Sequence, residues 1–313
     1  MNISVIIPVF NAEMFVGKSV NSALVQKEVY EIILVEDGSQ DSSLQICRSI
    51  SETNDKVRLY RHQGGTNNGA GQSRNLGIKN ALCDYVAFLD ADDCYCENRF
   101  VETKKVFEAD LQLDGVYEVV GVDYYSKVAK KKHLKRMKLT KLHYENATIP
   151  LDHTGVEPGV PSKDLFAELI LGKKGWIHLN GMTIKRKSLE NFNLLKDLDF
   201  AEDTEFILRL AFEKSLSSTN NIRPIAIRNI HDRNRIPYLI KKRNILWHHI
   251  MLYILDKPVE KKVFRYILGR YLDNYSDRYY NFKDIIFRKL FKLWNLLLTI
   301  TKYPVIINKL IMR

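Results

Sequence analysis

The chain has 313 residues, 45% of them hydrophobic, and a mean hydropathy of −0.24, which excludes a disordered chain and a membrane-spanning bundle. Its net charge of +11 is carried by residues 237–313, where 16 Lys and Arg stand against 5 Asp and Glu. Residues 1–236 are therefore balanced in charge, and we expect a protein that does not bind nucleic acid.

Apolar runs and turn residues predict alternating strands and helices along the first part of the chain. Because the strands are apolar on both faces, they favour a mostly parallel sheet with helices on both sides. Proline cannot donate to a ladder, so we expect Pro8 to end the first strand. Strands are expected at residues 3–9, 31–35, 57–61, 85–89 and 115–122, and helices at 13–26, from Asp41 or Ser42 to 51, and from a Gly/Asn-rich loop to 81.

The strand at residues 85–89 stops at three carboxylates within four residues, Asp90, Asp92 and Asp93. In an open α/β sheet, ligands bind beyond the carboxyl ends of the strands, so these oxygens would face a ligand. Oxygen ligands suit Mg²⁺ or Mn²⁺. The alternative is an Asp-rich turn that caps the next helix. For Asp93, such a cap is the one role that the pattern suggests.

A Gly/Asn-rich loop, residues 64–75, leads into the next predicted helix. It lacks the Gly-Lys-Ser/Thr of a P-loop and the glycine spacing of a dinucleotide-binding loop. Arg74 lies about one turn into the helix, where its guanidinium can meet a phosphate or a base. The alternative is a flexible loop with a helix cap.

Four short motifs occur in order along these strand ends. They are Val5-Ile6-Ile7-Pro8-Val9-Phe10-Asn11-Ala12-Glu13, Val35-Glu36-Asp37-Gly38-Ser39-Gln40-Asp41-Ser42, Asn68-Gly69-Ala70-Gly71-Gln72-Ser73-Arg74-Asn75 and Phe88-Leu89-Asp90-Ala91-Asp92-Asp93. Together they resemble the nucleotide-sugar-binding half of the family 2 glycosyltransferases, which have the GT-A type fold. The resemblance is strong up to about residue 110 and looser from 176 to 215. Glu36 departs from it, because the family more often has Asp at that position.

The resemblance implies inverting transfer of a sugar from a nucleotide-diphosphate sugar to an acceptor hydroxyl, with Mn²⁺ or Mg²⁺ as cofactor. It assigns the catalytic base to Asp203, which follows Glu202 at a helix start. Asp92 would bind the metal, and Asp90 would bind the ribose or reach the metal through water. Asp37 would accept a hydrogen bond from the base, and Arg74 would hold the nucleotide. The other donor-binding residues that it implies are Pro8, Phe10, Asn11, Glu13, Asn68, His231 and Arg235.

The implied architecture is a GT-A type nucleotide-diphospho-sugar transferase fold with a C-terminal helical extension. Residues 1–110 would bind the donor, 111–236 would bind the acceptor and carry the base, and 237–313 would form the basic extension. A sugar nucleotidyltransferase-like enzyme is disfavoured, because no Gly-rich loop with Lys or Arg follows the first strand. A non-catalytic scaffold of the same fold is disfavoured, because Asp37, Asp90, Asp92 and Asp203 are all present.

Two basic stretches lie outside these motifs. Residues 130–136 are expected to form an exposed loop or hairpin tip rather than a phosphate- or lipid-binding patch. Residues 287–298 place apolar side chains on one helical face and basic ones on the other, which is typical of a helix on an anionic membrane surface. The alternative is that this apolar stripe docks on the catalytic domain or on a second copy of the chain, in a homo-oligomer.

The cysteine pattern and the N-terminus bear on localisation. Cys47, Cys83, Cys94 and Cys96 show no metal-binding spacing, and residues 1–8 show no signal-peptide pattern. We therefore expect a cytoplasmic protein that associates peripherally with the inner face of the cell membrane. Its acceptor would be a saccharide or a lipid-linked acceptor, in surface polysaccharide or glycan assembly.

Overall fold

The structure is a computed structural model that describes residues 1–140, 149, 153–192, 194–196, 198, 201–231, 243–279, 293, 296–297, 299–301 and 303–311. The chain divides into two compact units, Met1–Asn234 and Arg235–Arg313.

The first unit alternates strands and helices. Its strands are β1 (Ile3–Val9), β2 (Val29–Glu36), β3 (Val57–Arg61), β4 (Tyr85–Phe88), β5 (Cys94–Tyr95), β6 (Gly115–Tyr117), β7 (Val120–Tyr124), β8 (Met182–Lys185), β9 (Leu216–Ser218) and β10 (Ala226–Ile230). Its helices are α1 (Val16–Leu24), α2 (Ser43–Thr53), α3 (Gly69–Asn80), α4 (Val101–Ala109), α5 (Lys127–Thr140), α6 (Ser162–Leu171) and α7 (Glu202–Glu213).

A central sheet runs in the order β3-β2-β1-β4-β8-β6-β9. β3, β2, β1 and β4 are parallel to one another, whereas β8 is antiparallel to both of its neighbours. The mostly parallel sheet that the sequence predicts is therefore confirmed. A second sheet, β5-β10-β7, pairs β10 parallel to β7 and antiparallel to β5.

Strand β1 shows how helices cover both faces of the central sheet. Ile3, Val5 and Ile7 pack into one core together with α1. Ile6 points to the opposite face, where Gly77 of α3 comes so close that an added Cβ would lie 2.4 Å from an Ile6 methyl carbon. Because successive side chains alternate between faces, both sides of this strand are buried. This double burial explains why the strand is apolar throughout.

β1 continues through Pro8 to Val9, so the expectation that Pro8 ends the strand is wrong. β4 pairs with β1 only from Ile3 to Ile6, and beyond that point the described ladder joins β1 to β2 alone. Pro8 therefore lies where β1 has a neighbour on one side only among the described strands, so the N–H that proline lacks does not interrupt the ladder.

Two other expectations are also wrong in detail. The single strand expected at residues 115–122 is two strands, β6 and β7, which belong to different sheets. Between them Glu118 is buried in an ion pair with Arg99, which is itself fully buried. No helix follows the carboxylates directly, because β5 comes first and α4 begins only at Val101.

The basic run at residues 130–136 lies within helix α5, so the expected loop or hairpin tip is wrong. The helix spans 14 residues without Gly or Pro, and Lys, Ala, Leu and Arg all favour helix formation. Ala129 and His133 are buried one turn apart, which fixes one side of the helix against the domain. The first turns are otherwise exposed, as expected.

The second unit contains helices α8 (Arg243–Ile254), α9 (Lys261–Tyr279) and α10 (Val305–Ile311). Its buried side chains include Ile250, Ile254, Phe264, Ile267 and Ile306. Most of the predicted amphipathic stretch at 287–298 lies outside the described residues. Leu293 and Leu297 are described, and both are more than half exposed. Among the helices that the structure describes, none combines the length and apolar character needed to cross a bilayer.

Candidate active site

The site is centred on the turn after β4, where Asp90 forms a close ion pair with Arg74. Arg74 Nη2 donates to Asp90 Oδ1 at 2.6 Å, and Arg74 Nη1 donates to Glu202 Oε1 at 3.2 Å. The Arg74 side chain is 6% exposed. Burial raises the pKa of the Asp90 carboxyl, but the charge and hydrogen bond of Arg74 outweigh burial and hold that pKa below its ordinary value.

Arg74 thereby joins the carboxylate turn to the start of α7. This helix begins at Glu202 and carries Asp203, the predicted base, in its first turn. Burial first, and then the charge of Asp203, raise the pKa of the Glu202 carboxyl above its ordinary value. Ala201, directly before the helix, has φ of 62°, a left-handed conformation that costs a non-glycine residue energy.

Asp93 has a structural role that the sequence did not indicate. Its Oδ2 accepts a hydrogen bond from Asn180 Nδ2 at 2.6 Å, and its Oδ1 accepts from the backbone N–H of Asn229 at 2.8 Å. Burial, followed by the charges of Asp92 and Asp90, raises the pKa of the Asp93 carboxyl well above its ordinary value. Asp93 therefore ties the turn to two other segments and does not cap a helix.

Asn180 completes this connection. It is fully buried, and its Oδ1 accepts a hydrogen bond from the backbone N–H of Asp90 at 3.1 Å. One amide side chain thus contacts both ends of the Asp90–Asp93 turn, which fixes the path of the backbone between them. Asn229 adds a third contact, because its Nδ2 donates to the backbone oxygen of Asp92.

Asp92 contacts His231 and is partly exposed to solvent. Its Oδ2 lies 3.0 Å from Nε2 of His231, whose ring stacks on Phe15 with centroids 4.8 Å apart. The Asp92 side chain is 31% exposed. Carboxylate oxygens open to solvent are the ligands that Mg²⁺ and Mn²⁺ prefer, so Asp92 fits a divalent cation. Across the described part of the chain, no three His, Cys, Asp or Glu side chains cluster as a complete ligand set.

His178 lies beside the same turn as a neutral imidazole. Its Nδ1 accepts a hydrogen bond from the backbone N–H of Asn180 at 3.2 Å, so the ring proton resides on Nε2. Burial, and then the charge of Arg228, lower the pKa of His178 to about 3. At neutral pH the imidazole can therefore donate one hydrogen bond towards the site without adding a charge.

Asp37 lies at the end of β2, next to the glycine loop. Its Oδ1 accepts from the backbone N–H of Asn68 at 2.7 Å, and its own N–H donates to the Val9 oxygen at the end of β1. Asp37 Oδ2 is buried and has no hydrogen-bond partner among the described residues. Nε2 of His62 lies 3.7 Å from Asp37 Oδ1. One carboxylate oxygen is therefore left to accept a hydrogen bond from a ligand.

Asn11 and Glu13 join the loop after β1 to the loop after β2. Asn11 Oδ1 accepts from the Gln40 N–H at 2.8 Å, and Glu13 Oε2 accepts from the Ser42 N–H at 2.9 Å. Asn11 has φ of 50°, which Asn tolerates better than most residues. These two side chains hold the loops together at the donor side of the sheet.

The structure brings most of the predicted site residues to one edge of the sheet. Asp90, Arg74 and Glu202 are in direct contact, Asp203 follows Glu202, and Asp92 contacts His231. Pro8 and Phe10 are half-buried at the end of β1. Arg235 lies outside the described residues. The residues that the sequence did not indicate are Phe15, His178, Asn180, Arg228 and Asn229.

This combination defines a class of protein. A parallel sheet ends in an Asp-x-Asp turn, and the helix that faces the turn begins with Glu202 and Asp203. This arrangement is that of the GT-A type fold of nucleotide-diphospho-sugar transferases. Residues 4–156 match the family model described as glycosyl transferase family 2.

Individual relatives agree with this assignment. Glycosyltransferase GlyA of Streptococcus pneumoniae serotype 4 is 36% identical over 142 residues, which are 40% of this chain and 20% of GlyA. The minor teichoic acid biosynthesis protein GgaA of Bacillus subtilis is 36% identical over 102 residues, 30% of this chain and 22% of GgaA. The chain therefore spans about a fifth of the length of each of these relatives.

Solved structures share the fold. The crystal structure of S. aureus TarS 1–349 in complex with UDP-GlcNAc superposes with a TM-score of 0.60 and 18% identity. The superposition covers 88% of this chain and 72% of that one. At this identity the likeness concerns the fold alone.

Proposed function

We propose that the protein is an inverting glycosyltransferase that moves a sugar from a nucleotide-diphosphate sugar to an acceptor hydroxyl. The observation that carries the proposal is the Asp90–Arg74–Glu202 ion-pair chain, which connects the donor-side carboxylates with the helix that bears Asp203. The match of residues 4–156 to the glycosyl transferase family 2 model supports it.

Asp203 is the general base in this proposal. It takes the proton of the acceptor hydroxyl as that oxygen attacks the anomeric carbon from the face opposite the leaving diphosphate. General-base assistance of this kind contributes about 10²–10⁴-fold to the rate. Glu202, paired with Arg74, fixes the first turn of α7 and so orients Asp203.

The nucleotide lies against Asp37 and the glycine loop. The buried Asp37 Oδ2 accepts an N–H of the base, since its other oxygen already accepts from Asn68. Arg74 and Asp90 are paired, so Asp90 Oδ2 is the atom that reaches the ribose. UDP-sugars are the first donors to test, because the related TarS structure holds UDP-GlcNAc.

Asp92 would hold Mg²⁺ or Mn²⁺, and Asp90 would be a further ligand to the ion through water. When bound, the ion offsets the negative charge that grows on the leaving diphosphate. His231 keeps the Asp92 carboxylate directed outward through its 3.0 Å contact. Arg235 is proposed as a further diphosphate contact on the basis of the sequence pattern.

The pathway and location are further parts of the proposal. A saccharide or lipid-linked acceptor and a role in surface polysaccharide assembly are supported by GgaA, a teichoic acid biosynthesis protein. The basic second unit supports peripheral contact with the cytoplasmic face of the membrane. Removal of residues 284–313 should then weaken sedimentation with anionic vesicles. Unchanged sedimentation would show that these residues do not bind the membrane.

A hydrolysis assay tests the function. The full chain is incubated with Mn²⁺ and separate UDP-, GDP- and dTDP-sugars, and the released nucleotide is identified. Release of a nucleoside diphosphate supports glycosyl transfer. In a parallel incubation with added pyrophosphate, formation of nucleoside triphosphate and sugar 1-phosphate would instead indicate a nucleotidyltransferase. No release from any donor would leave a non-catalytic scaffold.

A further inference from the structure

Helix α5 presents an exposed basic surface that the proposed chemistry does not use. Ala129 and His133 are buried on its inner side, and the His133 ring packs against Tyr124 with centroids 5.7 Å apart. Its outer side exposes a run of lysines. The exposed residues, which we name the α5 surface, are Tyr125, Lys127, Val128, Lys130, Lys131 and Lys132.

The charge of this segment is one-sided. Between residues 127 and 144 the sequence has eight Lys and Arg and no Asp or Glu, although residues 1–236 as a whole are neutral. An exposed helix that only needs to be solvated usually mixes both signs of charge. The α5 surface is therefore complementary to an extended negative surface.

Two apolar side chains stand among the lysines. Tyr125 is 71% exposed and Val128 is 57% exposed. Nucleic acids and soluble polyanions gain little from an exposed valine, whereas a bilayer interface accepts both a tyrosine ring and an aliphatic side chain. The mixture of lysines with exposed apolar groups favours a lipid surface.

The surface adjoins the active site. The Tyr125 N–H donates to the Ile230 oxygen at 3.1 Å, and the next residue after Ile230 is His231, which contacts Asp92. α5 thus begins at the edge where the β7 and β10 strands end beside the carboxylate turn. A membrane held by this helix would lie next to the site.

We propose that the α5 surface binds an anionic lipid bilayer and so turns the edge of the active site towards the membrane. The benefit to catalysis rests on the proposed function, because only a membrane-held acceptor would gain from this orientation. The lipid contact itself is independent of the C-terminal unit and of catalysis.

The test compares the full chain with the triple variant Lys127→Glu/Lys131→Glu/Lys132→Glu. Binding is measured by sedimentation with vesicles of phosphatidylglycerol and phosphatidylcholine, and with phosphatidylcholine alone. The matched control is Lys173→Glu/Lys174→Glu/Arg223→Glu, which makes the same charge change at exposed positions elsewhere in the same unit. Each lysine near an anionic surface contributes about fivefold, so loss of three lysines alone weakens partitioning roughly 100-fold, and the three added negative charges should weaken it further.

A second variant tests the apolar part without changing the charge. Tyr125→Ser/Val128→Ser should weaken binding to anionic vesicles while keeping the salt dependence of binding. Far-UV circular dichroism and donor hydrolysis without vesicles should match the parent chain for every variant, because none of these residues touches the donor. If the parent chain hydrolysed no donor, the proposed function would be refuted, whereas the vesicle-binding result would still hold.

Four results would overturn the proposal. They are vesicle binding that the α5 triple variant leaves unchanged, an equal loss in the control triple, equal binding to neutral vesicles, or no effect of Tyr125→Ser/Val128→Ser. If the α5 triple variant lost affinity for a soluble anionic polysaccharide but kept its vesicle binding, the surface would serve a polyanion and not a membrane.

Discussion

Arg74 and Glu202 are 128 residues apart in the chain, and their side chains form an ion pair with Nη1 and Oε1 3.2 Å apart. The same guanidinium binds Asp90 at 2.6 Å. Two carboxylates from distant segments therefore share one buried cation, which connects the carboxylate turn after β4 to the start of α7. Burial alone would lower the pKa of Arg74, but Asp90 and then Glu202 raise it, so Arg74 stays charged.

Arg74→Gln should destabilise the protein and disconnect these two segments. Removing one partner of a buried pair costs roughly 3–5 kcal/mol, and we expect the lower end of that range because Asp90 keeps 30% exposure. Urea unfolding monitored by fluorescence measures the loss. The double variant Arg74→Gln/Glu202→Gln should recover part of it, and strictly additive losses would show that the two side chains are not coupled.

Asn180→Ala should loosen the carboxylate turn. It leaves Asp93 Oδ2 and the Asp90 N–H without the partner that Asn180 provides, and each buried polar group left in this way costs about 1–3 kcal/mol. Donor affinity should fall as well, because the turn that carries Asp92 is no longer fixed. Calorimetry with the donor and thermal unfolding check both effects.

The control for Asn180 is Asn80→Ala, which removes a hydrogen bond to the Leu76 oxygen at the end of α3. Asn180→Asp adds a pH signature, since an ionised carboxylate cannot donate to Asp93. That variant should be closer to the parent chain in stability at pH 5 than at pH 8, and a pH-independent difference would contradict the role given to the amide.

Ala201→Gly should stabilise the protein by about 0.5–1 kcal/mol. Ala201 has φ of 62°, and glycine adopts this conformation without the penalty that a Cβ brings, although it loses more chain entropy on folding. Donor turnover should be unchanged. Ala201→Val, with a β-branched side chain in the same conformation, should instead destabilise. Equal stability of the glycine and valine variants would show that the backbone at this position relaxes freely.

The free energy of unfolding of the protein should fall as the pH drops below about 6.5, and the neutral His178 should account for part of this fall. Burial holds the pKa of His178 at about 3 in the folded chain, so between these pH values the unfolded chain binds a proton that the folded chain does not. His178→Asn keeps an acceptor for the Asn180 N–H but cannot titrate. The difference in unfolding free energy between parent and variant should change by up to about 1.4 kcal/mol per pH unit in this range, and parallel pH curves would contradict it.

The sequence is sufficient to predict those strands whose position is determined by the local pattern of apolar and polar residues. Continuous apolar runs predicted β1, β2 and β4, and each ends in the polar residues that meet at one edge of the sheet. Parallel strands in neighbouring positions bring Asp37 and Asp90 to that edge without any knowledge of side-chain packing. The same pattern could not show that β1 continues through Pro8, because that depends on how far its neighbour β4 extends.

Long-range side-chain contacts could not be predicted from one sequence. Asn180 lies two residues before β8, and nothing in the surrounding sequence indicates that its amide is buried or that its partners are Asp90 and Asp93. Arg74 was expected to face the nucleotide, and nothing in its surroundings in the sequence indicated that Glu202 would be its partner. For α5, charge suggested a loop, although the inward face of the helix is set by Ala129 and His133.

The most direct test of the proposed mechanism is isothermal calorimetry and turnover of Asp203→Asn with the donor identified in the hydrolysis screen. A general base acts on the acceptor and not on the donor, so turnover should fall by about 10²-fold or more while the donor dissociation constant stays within about twofold of the parent value. Loss of donor affinity in this variant, or turnover close to that of the parent chain, would contradict the assignment of Asp203.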